Sequence, residues 1–397
     1  IERINTVEED QGKDYKEEFP QLFRGLGSLQ DSYKIRLKEQ AIPYAVSAPR
    51  RLPLPLKQKV KAELDQLEEQ GVIRTVTKPS DWCAPIVVVP KSNDKVRICV
   101  DLSKLNEAVR RENYPLPSTD ELLAQLSGAK LFTKLDCNKG FHQLPLDEDS
   151  QELTTFITPF GRYCYTRLPF GISSGPEVFQ RRMSQLLGNS EGVICDIDDL
   201  LIFGKNKQEH DRHLKKVMST LQEAGLTLNA EKCQFAKDKI SFLGHIVSKD
   251  GIAIDPEKLT AVKNFPKPEN ISDLRRLLGM VNHVAKFAGP TLADDSKPLR
   301  DLLKKDMEWC WGAAQETAFE KIKKQLTEAP VLAHYSADKT TVISADASSF
   351  GLGAVLLQKQ PDGHLKPVFY ASRSMTETER RYAQVEREAL AVTWACE

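Results

Sequence analysis

Gly192-Val193-Ile194-Cys195-Asp196-Ile197-Asp198-Asp199-Leu200-Leu201-Ile202-Phe203 is the stretch on which the reading of this chain turns. Two apolar arms, Val193 to Cys195 and Leu200 to Phe203, flank adjacent carboxylates. Arms of this composition and length read as buried strands, so the carboxylates fall at the tight turn of a hairpin. Carboxylates gathered at such a point repel one another and resist desolvation, and a divalent cation is the usual compensation. An Asp pair by itself also makes an ordinary polar turn, as Asp294-Asp295 is expected to do in a polar loop. What sets the hairpin apart is its apolar arms and a third carboxylate, Asp136, which ends the strand-like run Leu131 to Leu135. A central strand ending in Asp can lie beside a hairpin tip. Three carboxylates at one sheet edge suit two Mg²⁺ ions, which prefer oxygen ligands and can clamp the attacking and leaving oxygens of a phosphoryl transfer.

Around this hairpin the chain alternates strands and helices. Val60, Leu64 and Leu67 keep one helical face from Pro55 until Gly71 ends it, and Ala84 to Pro90 with Val96 to Val100 predict a hairpin about the polar turn Ser92-Asn93-Asp94. A helix is expected over Pro176 to Leu187, closed by Gly188, another over about Gln208 to Ala224, ended by Gly225, and then a strand Ile240 to Val247. The alternation predicts an α+β layer with helices on one face of a mainly antiparallel sheet. From Pro256 to about Leu326 the pattern is helical, with Leu274, Leu277, Leu278 and Val281 in one stripe. Strands Thr341 to Asp346, Leu352 to Gln358 and Pro367 to Ala371 then precede a helix Glu377 to Cys396. Residues 1 to 50 are polar, with little periodicity, and read as a linker or arm.

Composition excludes several classes. The chain has 397 residues, 40% apolar and 28% charged, which is ordinary for two or three globular units and too apolar for a disordered chain. Its longest apolar runs fall far short of the ~18 residues of a membrane helix. Lys plus Arg count 56 and Asp plus Glu count 56, so any nucleic-acid surface must be local. Eight scattered cysteines without a C-x-x-C pair read as reduced, buried thiols of an intracellular protein. His210 and His213 are expected on a solvent-exposed helix face rather than on a metal. The opening at Ile1 and the uncapped helical pattern ending at Glu397 lead us to expect a segment of a longer polyprotein or an incomplete gene model.

The ordered series of motifs over roughly residues 50 to 397 resembles the reverse transcriptase of gypsy-type long-terminal-repeat retrotransposons and of retroviruses. Asp136 with Phe141, in Leu135-Asp136-Cys137-Asn138-Lys139-Gly140-Phe141-His142-Gln143, matches that family's first palm motif. The resemblance implies that Asp136 binds both metals beside Asp198 and Asp199, and that the Phe141 ring is the gate excluding a ribose 2′-hydroxyl; otherwise Phe141 is a core aromatic. Leu168 to Pro176 is similar to the second palm motif, with Phe170 and Gly171 lining the nucleotide pocket; without the resemblance it is a turn before a helix. Trp82 to Lys91 and Val96 to Leu102 resemble the fingers hairpin, which makes Lys91 and Arg97 triphosphate ligands, although a solvated lysine also accounts for Lys91. Asn229 to Cys233 matches the motif whose lysine protonates the leaving pyrophosphate, here Lys232. Phe242-Leu243-Gly244 looks like the primer grip, or else a strand with a glycine bulge.

One departure stands out, because the family usually has tyrosine where this chain has Asp196. An extra carboxylate there adds repulsion toward phosphate or a further metal ligand. Toward the end, Ile343 to Ser348 and Tyr382 to Ala391 resemble the start of the ribonuclease H domain, an endonuclease, with Asp346 and Glu388 as its first two carboxylates. Its two further carboxylates would lie beyond Glu397, so ribonuclease activity of this chain is not expected.

The resemblance thus implies an α+β right-hand polymerase: an arm over 1 to 50, fingers and palm over 51 to 250, a helical thumb and connection over 251 to 330, and a truncated ribonuclease H-like α/β domain over 331 to 397. It implies an RNA-directed DNA polymerase, a nucleotidyltransferase using two Mg²⁺, with Mn²⁺ as substitute, on deoxynucleoside triphosphates and an RNA or DNA template with primer. Such a protein works away from membranes, in the cytoplasm or in virus-like particles, as part of a retrotransposon polyprotein; its oligomeric state stays open. The rival expectation is a catalytically decayed or repurposed nucleic-acid-binding fragment that keeps the fold.

Overall fold

The computed structural model describes residues 15–90, 96–305 and 307–397. They group into two units: residues up to Ser118 with Phe132–Lys237, and Thr119–Leu131 with Asp238–Glu397. The second unit thus takes in residues 119 to 131 and 238 to 250, both inside the range 51 to 250 expected for fingers and palm.

In the first unit, β1 (Ile73–Thr75), β2 (Ala84–Pro90), β3 (Val96–Val100), β5 (Phe156–Thr158) and β6 (Gly161–Tyr165) form a sheet in the order β1-β6-β5-β2-β3. β2 and β3 are the expected antiparallel hairpin, while β2 and β5 run parallel. Helix Leu54–Glu69 buries the predicted stripe Val60, Leu64 and Leu67. A second sheet has the order β7-β8-β4-β9, from β4 (Leu131–Asp136), β7 (Val193–Asp196), β8 (Asp199–Gly204) and β9 (Gln234–Lys237). Continuous apolar runs explain its burial on both faces: Phe132, Leu135, Ile194, Leu200, Leu201 and Ile202 are all within 1% of fully buried.

Helices Gly175–Leu187 and Lys207–Glu223 belong to the same unit. The second buries His210, His213, Leu214, Val217, Met218 and Leu221, a regular three-four spacing along one face. This corrects the expectation for the histidines. Both lie on the buried stripe, because each spends its polar atoms on a fixed partner: His210 Nε2 lies 2.8 Å from Thr133 Oγ1, and His213 Nδ1 lies 2.9 Å from the Phe203 carbonyl.

The described part of the expected arm is also packed, not free. Leu22, Leu29, Tyr33 and Ile35 are buried, and backbone bonds tie Ser28 to Gly225 and Tyr33 to Pro145. Short pieces of irregular chain carry no period, which is why the segment read as a linker. The cysteine reading holds for Cys83, Cys137 and Cys164, whereas Cys310 and Cys396 are exposed.

The second unit begins with the meander β10 (Lys239–Phe242), β11 (His245–Ser248) and β12 (Gly251–Ile254). One strand had been expected over Ile240 to Val247. Leu243 at φ +49° and Gly244 at φ +73° fold it back into a two-residue hairpin, the left-handed pair that such turns demand. Helix Ile271–His283 buries Leu274, Leu277, Leu278 and Val281 as predicted. Strands β13 (Thr341–Ala347), β14 (Gly351–Lys359) and β15 (Leu365–Ser374) make an antiparallel sheet beside helix Gln384–Cys396. That helix starts later than Glu377 because Arg373 grips Glu379 through two 2.9 Å bonds and Glu379 accepts the Thr376 amide, fixing a separate turn.

Candidate active site

The turn between β7 and β8 holds Ile197 and Asp198, with Asp196 and Asp199 as the last cross-strand pair. Ile197 sits at φ +56°, a left-handed conformation that costs a β-branched residue on the order of 1–3 kcal/mol. Its surroundings enforce it. The Ile197 amide donates to Gln180 Oε1 at 2.6 Å, and Gln180 Nε2 donates to the Cys195 carbonyl at 3.1 Å. Gln180 comes from helix Gly175–Leu187 and is 3% exposed. Sequence reasoning missed it; the available signal was a polar residue on the stripe shared by Val178, Phe179 and Met183.

The hairpin tip meets the end of β4 through a backbone bond, from the Cys137 amide to the Asp198 carbonyl at 3.0 Å. Asp136 therefore lies next to the turn that carries Asp198 and Asp199. Close approach is possible because residue 140 is glycine: a Cβ there would come within 3.1 Å of Asp198 Cβ and of Phe179 Cζ. Each carboxylate has its own surroundings. Asp136 takes the Lys232 ammonium on both oxygens, at 3.2 and 3.1 Å. Asp199 Oδ1 lies 2.9 Å from Lys134 Nζ, an ion pair whose angle leaves that oxygen buried without a hydrogen bond. Burial pushes the Asp198 carboxyl up, and the charges of Asp199 and Asp136 add to the effect. Asp196 is raised by burial and by Asp199.

Among the described residues, no three Asp, Glu, His or Cys side chains already converge as a metal cage. The carboxylates nevertheless fit a divalent cation: ammonium groups already sit on Asp136 and Asp199, where positive charge is called for, and burial disfavours the bare ionised form of Asp198. The thiols do not compete as ligands, since burial pushes Cys195 up to about 12 and Cys233 up to about 11.

Beside the carboxylates, the Phe141 ring packs against Phe170 at 5.1 Å and edge-on to Phe179 at 5.6 Å. Phe170 is 52% exposed, as the wall of an open pocket would be. Gly171, at φ +95°, hands its carbonyl to Asn106 Nδ2 at 2.8 Å, and Asn106 Oδ1 accepts the Ser173 amide at 2.8 Å. Asn106 is thus a second positioning residue, one that no local sequence pattern marks.

The remaining predicted residues lie on other elements. Arg97 is exposed on β3, opposite Val89. Lys91 lies outside the described residues. Phe242 is fully buried, with Leu243 and Gly244 at the hairpin turn of the second unit. In that unit Asp346 is exposed on β13, and Gln384 Nε2 donates to Glu388 Oε1 at 2.6 Å and to the Ala347 carbonyl at 3.3 Å, holding Glu388 near that strand's end.

Known proteins resemble the chain in both sequence and fold. Residues 89–247 match a family described as "Reverse transcriptase (RNA-dependent DNA polymerase)", and residues 311–397 match "RNase H-like domain found in reverse transcriptase". The Transposon Tf2-3 and Tf2-7 polyproteins of Schizosaccharomyces pombe are each 34% identical over 382 residues, covering 95% of this chain and 28% of the relative. The chain therefore spans little more than a quarter of those polyproteins. The foamy viral protease-reverse transcriptase in complex with dsDNA superposes with a TM-score of 0.88 at 24% identity, over 98% of this chain and 82% of that one. The same protein in complex with an RNA/DNA hybrid gives 0.84 at 24% identity, over 98% of this chain and 53% of that one.

Proposed function

We propose, from the premise that this chain belongs to the reverse transcriptase family and carries its polymerase and ribonuclease H-like domains in order, that it extends a primer with deoxynucleotides along an RNA or DNA template. The observation that carries the proposal is the 3.0 Å bond from the Cys137 amide to the Asp198 carbonyl, which sets Asp136 beside the Asp198-Asp199 turn.

The family depends on divalent metal, and here Asp136 and Asp198 would hold two Mg²⁺, or Mn²⁺ in their place, with Asp199 in support. When bound, such ions stabilise charge on the attacking and leaving oxygens of the phosphoryl transfer. The chain's own groups supply the rest. Phe141, braced by Phe170 and Phe179, is the ring that would exclude a 2′-hydroxyl and so select the deoxy sugar. Gly171, held by Asn106, keeps the backbone open beside the base. Arg97 and Lys91 steady the triphosphate by charge. Lys232, which already serves as the cation on Asp136, gives its proton to the leaving pyrophosphate once it is freed from that carboxylate.

The template is held chiefly through its phosphates, so its affinity falls with salt. The primer grip is assigned to Phe242, Leu243 and Gly244, and the ribonuclease H carboxylates to Asp346 and Glu388. Among the described residues no helix is long and apolar enough to cross a membrane. The polyprotein relatives support a place of action in the cytoplasm or in virus-like particles.

Primer extension with Mg²⁺ tests the proposal. Wild-type protein should extend the primer, and Asp198→Asn should abolish extension while retaining nucleic-acid binding. Asp196, a third negative charge on the same turn and the cross-strand partner of Asp199, favours one other reading, a nucleic-acid-binding protein without turnover. Binding without extension by the wild type would establish that reading instead.

A further inference from the structure

Arg36 and Arg110 face each other across a short antiparallel bridge. Leu37 pairs with Val109, the Arg110 amide donates to the Arg36 carbonyl at 2.8 Å and the Lys38 amide to the Ala108 carbonyl at 2.9 Å. The two arginines are therefore directly opposed, and both are exposed. Like charges opposite one another on paired strands are destabilising, so the backbone holds together two guanidiniums that repel.

Their neighbours are compensated. Arg111 pairs with Glu177 at 2.7 Å, Arg181 with Glu112 at 2.7 Å, and Arg182 with Asp31 at 3.1 Å. Among the described residues Arg36 and Arg110 have no carboxylate within ion-pair distance. They line a cavity of about 410 Å³ with Lys34, Arg111, Arg181 and Arg182, and Glu112 is the one carboxylate among its described lining residues. Asp136, Asp198 and Asp199 are not on it.

Guanidinium forks match phosphate oxygens in geometry and charge. The rim suits a chain of phosphates better than a single ion. Lys34 pairs with Asp149, which is 80% exposed, at 2.9 Å and more loosely with Asp147 at 3.5 Å, and Arg182 pairs with Asp31, which is 76% exposed. Ion pairs so open to water are worth little and exchange readily for an incoming phosphate. We propose that this basic face is an accessory site for single-stranded nucleic acid, with Arg36 and Arg110 as its fixed phosphate ligands, separate from the carboxylate edge. The choice of nucleic acid as the polyanion rests on the polymerase reading.

The test uses the full chain, saturated with an unlabelled blunt RNA/DNA hybrid to fill the polymerase cleft, and follows the anisotropy of a fluorescein-labelled single-stranded RNA over a series of salt concentrations. Replacing both Arg36→Ala and Arg110→Ala should weaken RNA binding about tenfold and lower the salt slope by about 1.4, at about 0.7 per phosphate contact on a single strand. The thermal midpoint should not fall, since the opposed charges are gone; a packing role would lower it. The pair Arg36→Lys and Arg110→Lys should keep most of the slope.

Absence of RNA binding once the cleft is filled, or an unchanged affinity and slope in the double variant, overturns the proposal. So does displacement of the RNA by inorganic phosphate at matched ionic strength, which would assign the cavity to a small anion. Repeating the titration with Asp198→Asn keeps the two readings apart: loss of extension with RNA binding intact concerns the carboxylates alone, and loss of binding only in the arginine variants concerns this face alone.

Discussion

Gln180→Met isolates what holds the hairpin turn. Methionine matches glutamine in length and volume, so packing around the helix survives, but the 2.6 Å bond from the Ile197 amide and the 3.1 Å bond to the Cys195 carbonyl are lost. Each orphaned buried backbone group costs about 1–3 kcal/mol. Relaxation of Ile197 from φ +56° returns part of that, on the order of 1–2 kcal/mol. The net local loss is about 2 kcal/mol, and at about 1.4 kcal/mol per factor of ten the Ile197 amide should exchange with solvent roughly 30-fold faster.

A turn freed by even about 0.5 Å carries Asp198 out of register with Asp136, and an error of that size lowers the extension rate roughly tenfold. Gln180→Glu separates the two bonds. It still accepts from Ile197 but cannot donate to Cys195, and it brings a charge beside Asp196 and Asp198. Exchange at Ile197 should then stay near the wild-type rate while extension falls. Hydrogen–deuterium exchange of the hairpin peptide, read alongside single-turnover extension, measures both. Exchange within threefold and a rate within twofold of wild type in the Met variant would refute the clamp.

Two further outcomes are expected. Phe141→Ala removes the ring braced by Phe170 and Phe179, and the preference for deoxy- over ribonucleoside triphosphates, measured as a ratio of kcat/KM values, should fall roughly 10–100-fold; an unchanged ratio would remove Phe141 from the sugar pocket. His142 is 7% exposed, and burial, with Lys139 and Arg167 nearby, lowers it to about 4. The unfolded chain takes up that proton near pH 6.5 while the folded chain refuses it until about pH 4, so stability should fall by up to about 3 kcal/mol as pH drops through this window. Denaturant midpoints at pH 7 and pH 5 should lie closer together in His142→Phe than in wild type, and an equal gap would show that His142 does not carry the slope.

Much of the first unit was legible because its signals are local. Short apolar runs in β4, β7 and β8, three-four stripes on the helices, and carboxylates at strand ends state which elements are buried and where the chain turns. The helical stripe Leu274, Leu277, Leu278 and Val281 was legible for the same reason. Histidine was the exception that shows the limit: His210 and His213 occupy stripe positions, but a polar residue on an apolar stripe is recognisable only once Thr133 and the Phe203 carbonyl are seen to satisfy it.

By itself, the sequence determined the order of the motifs, the hairpin with its carboxylates at the tip, the family they resemble and the faces that pack. Tertiary structure alone decided which groups meet: the Gln180 clamp on Ile197, the Asn106 bracket on Gly171 and Ser173, the Lys232 cap on Asp136, the burial of Leu22, Leu29, Tyr33 and Ile35, and the opposed pair Arg36 and Arg110. A period along the chain records only whether a side chain faces in or out. The partner of a buried polar group, or the absence of one, depends on segments tens to hundreds of residues away, and no local pattern encodes that distance.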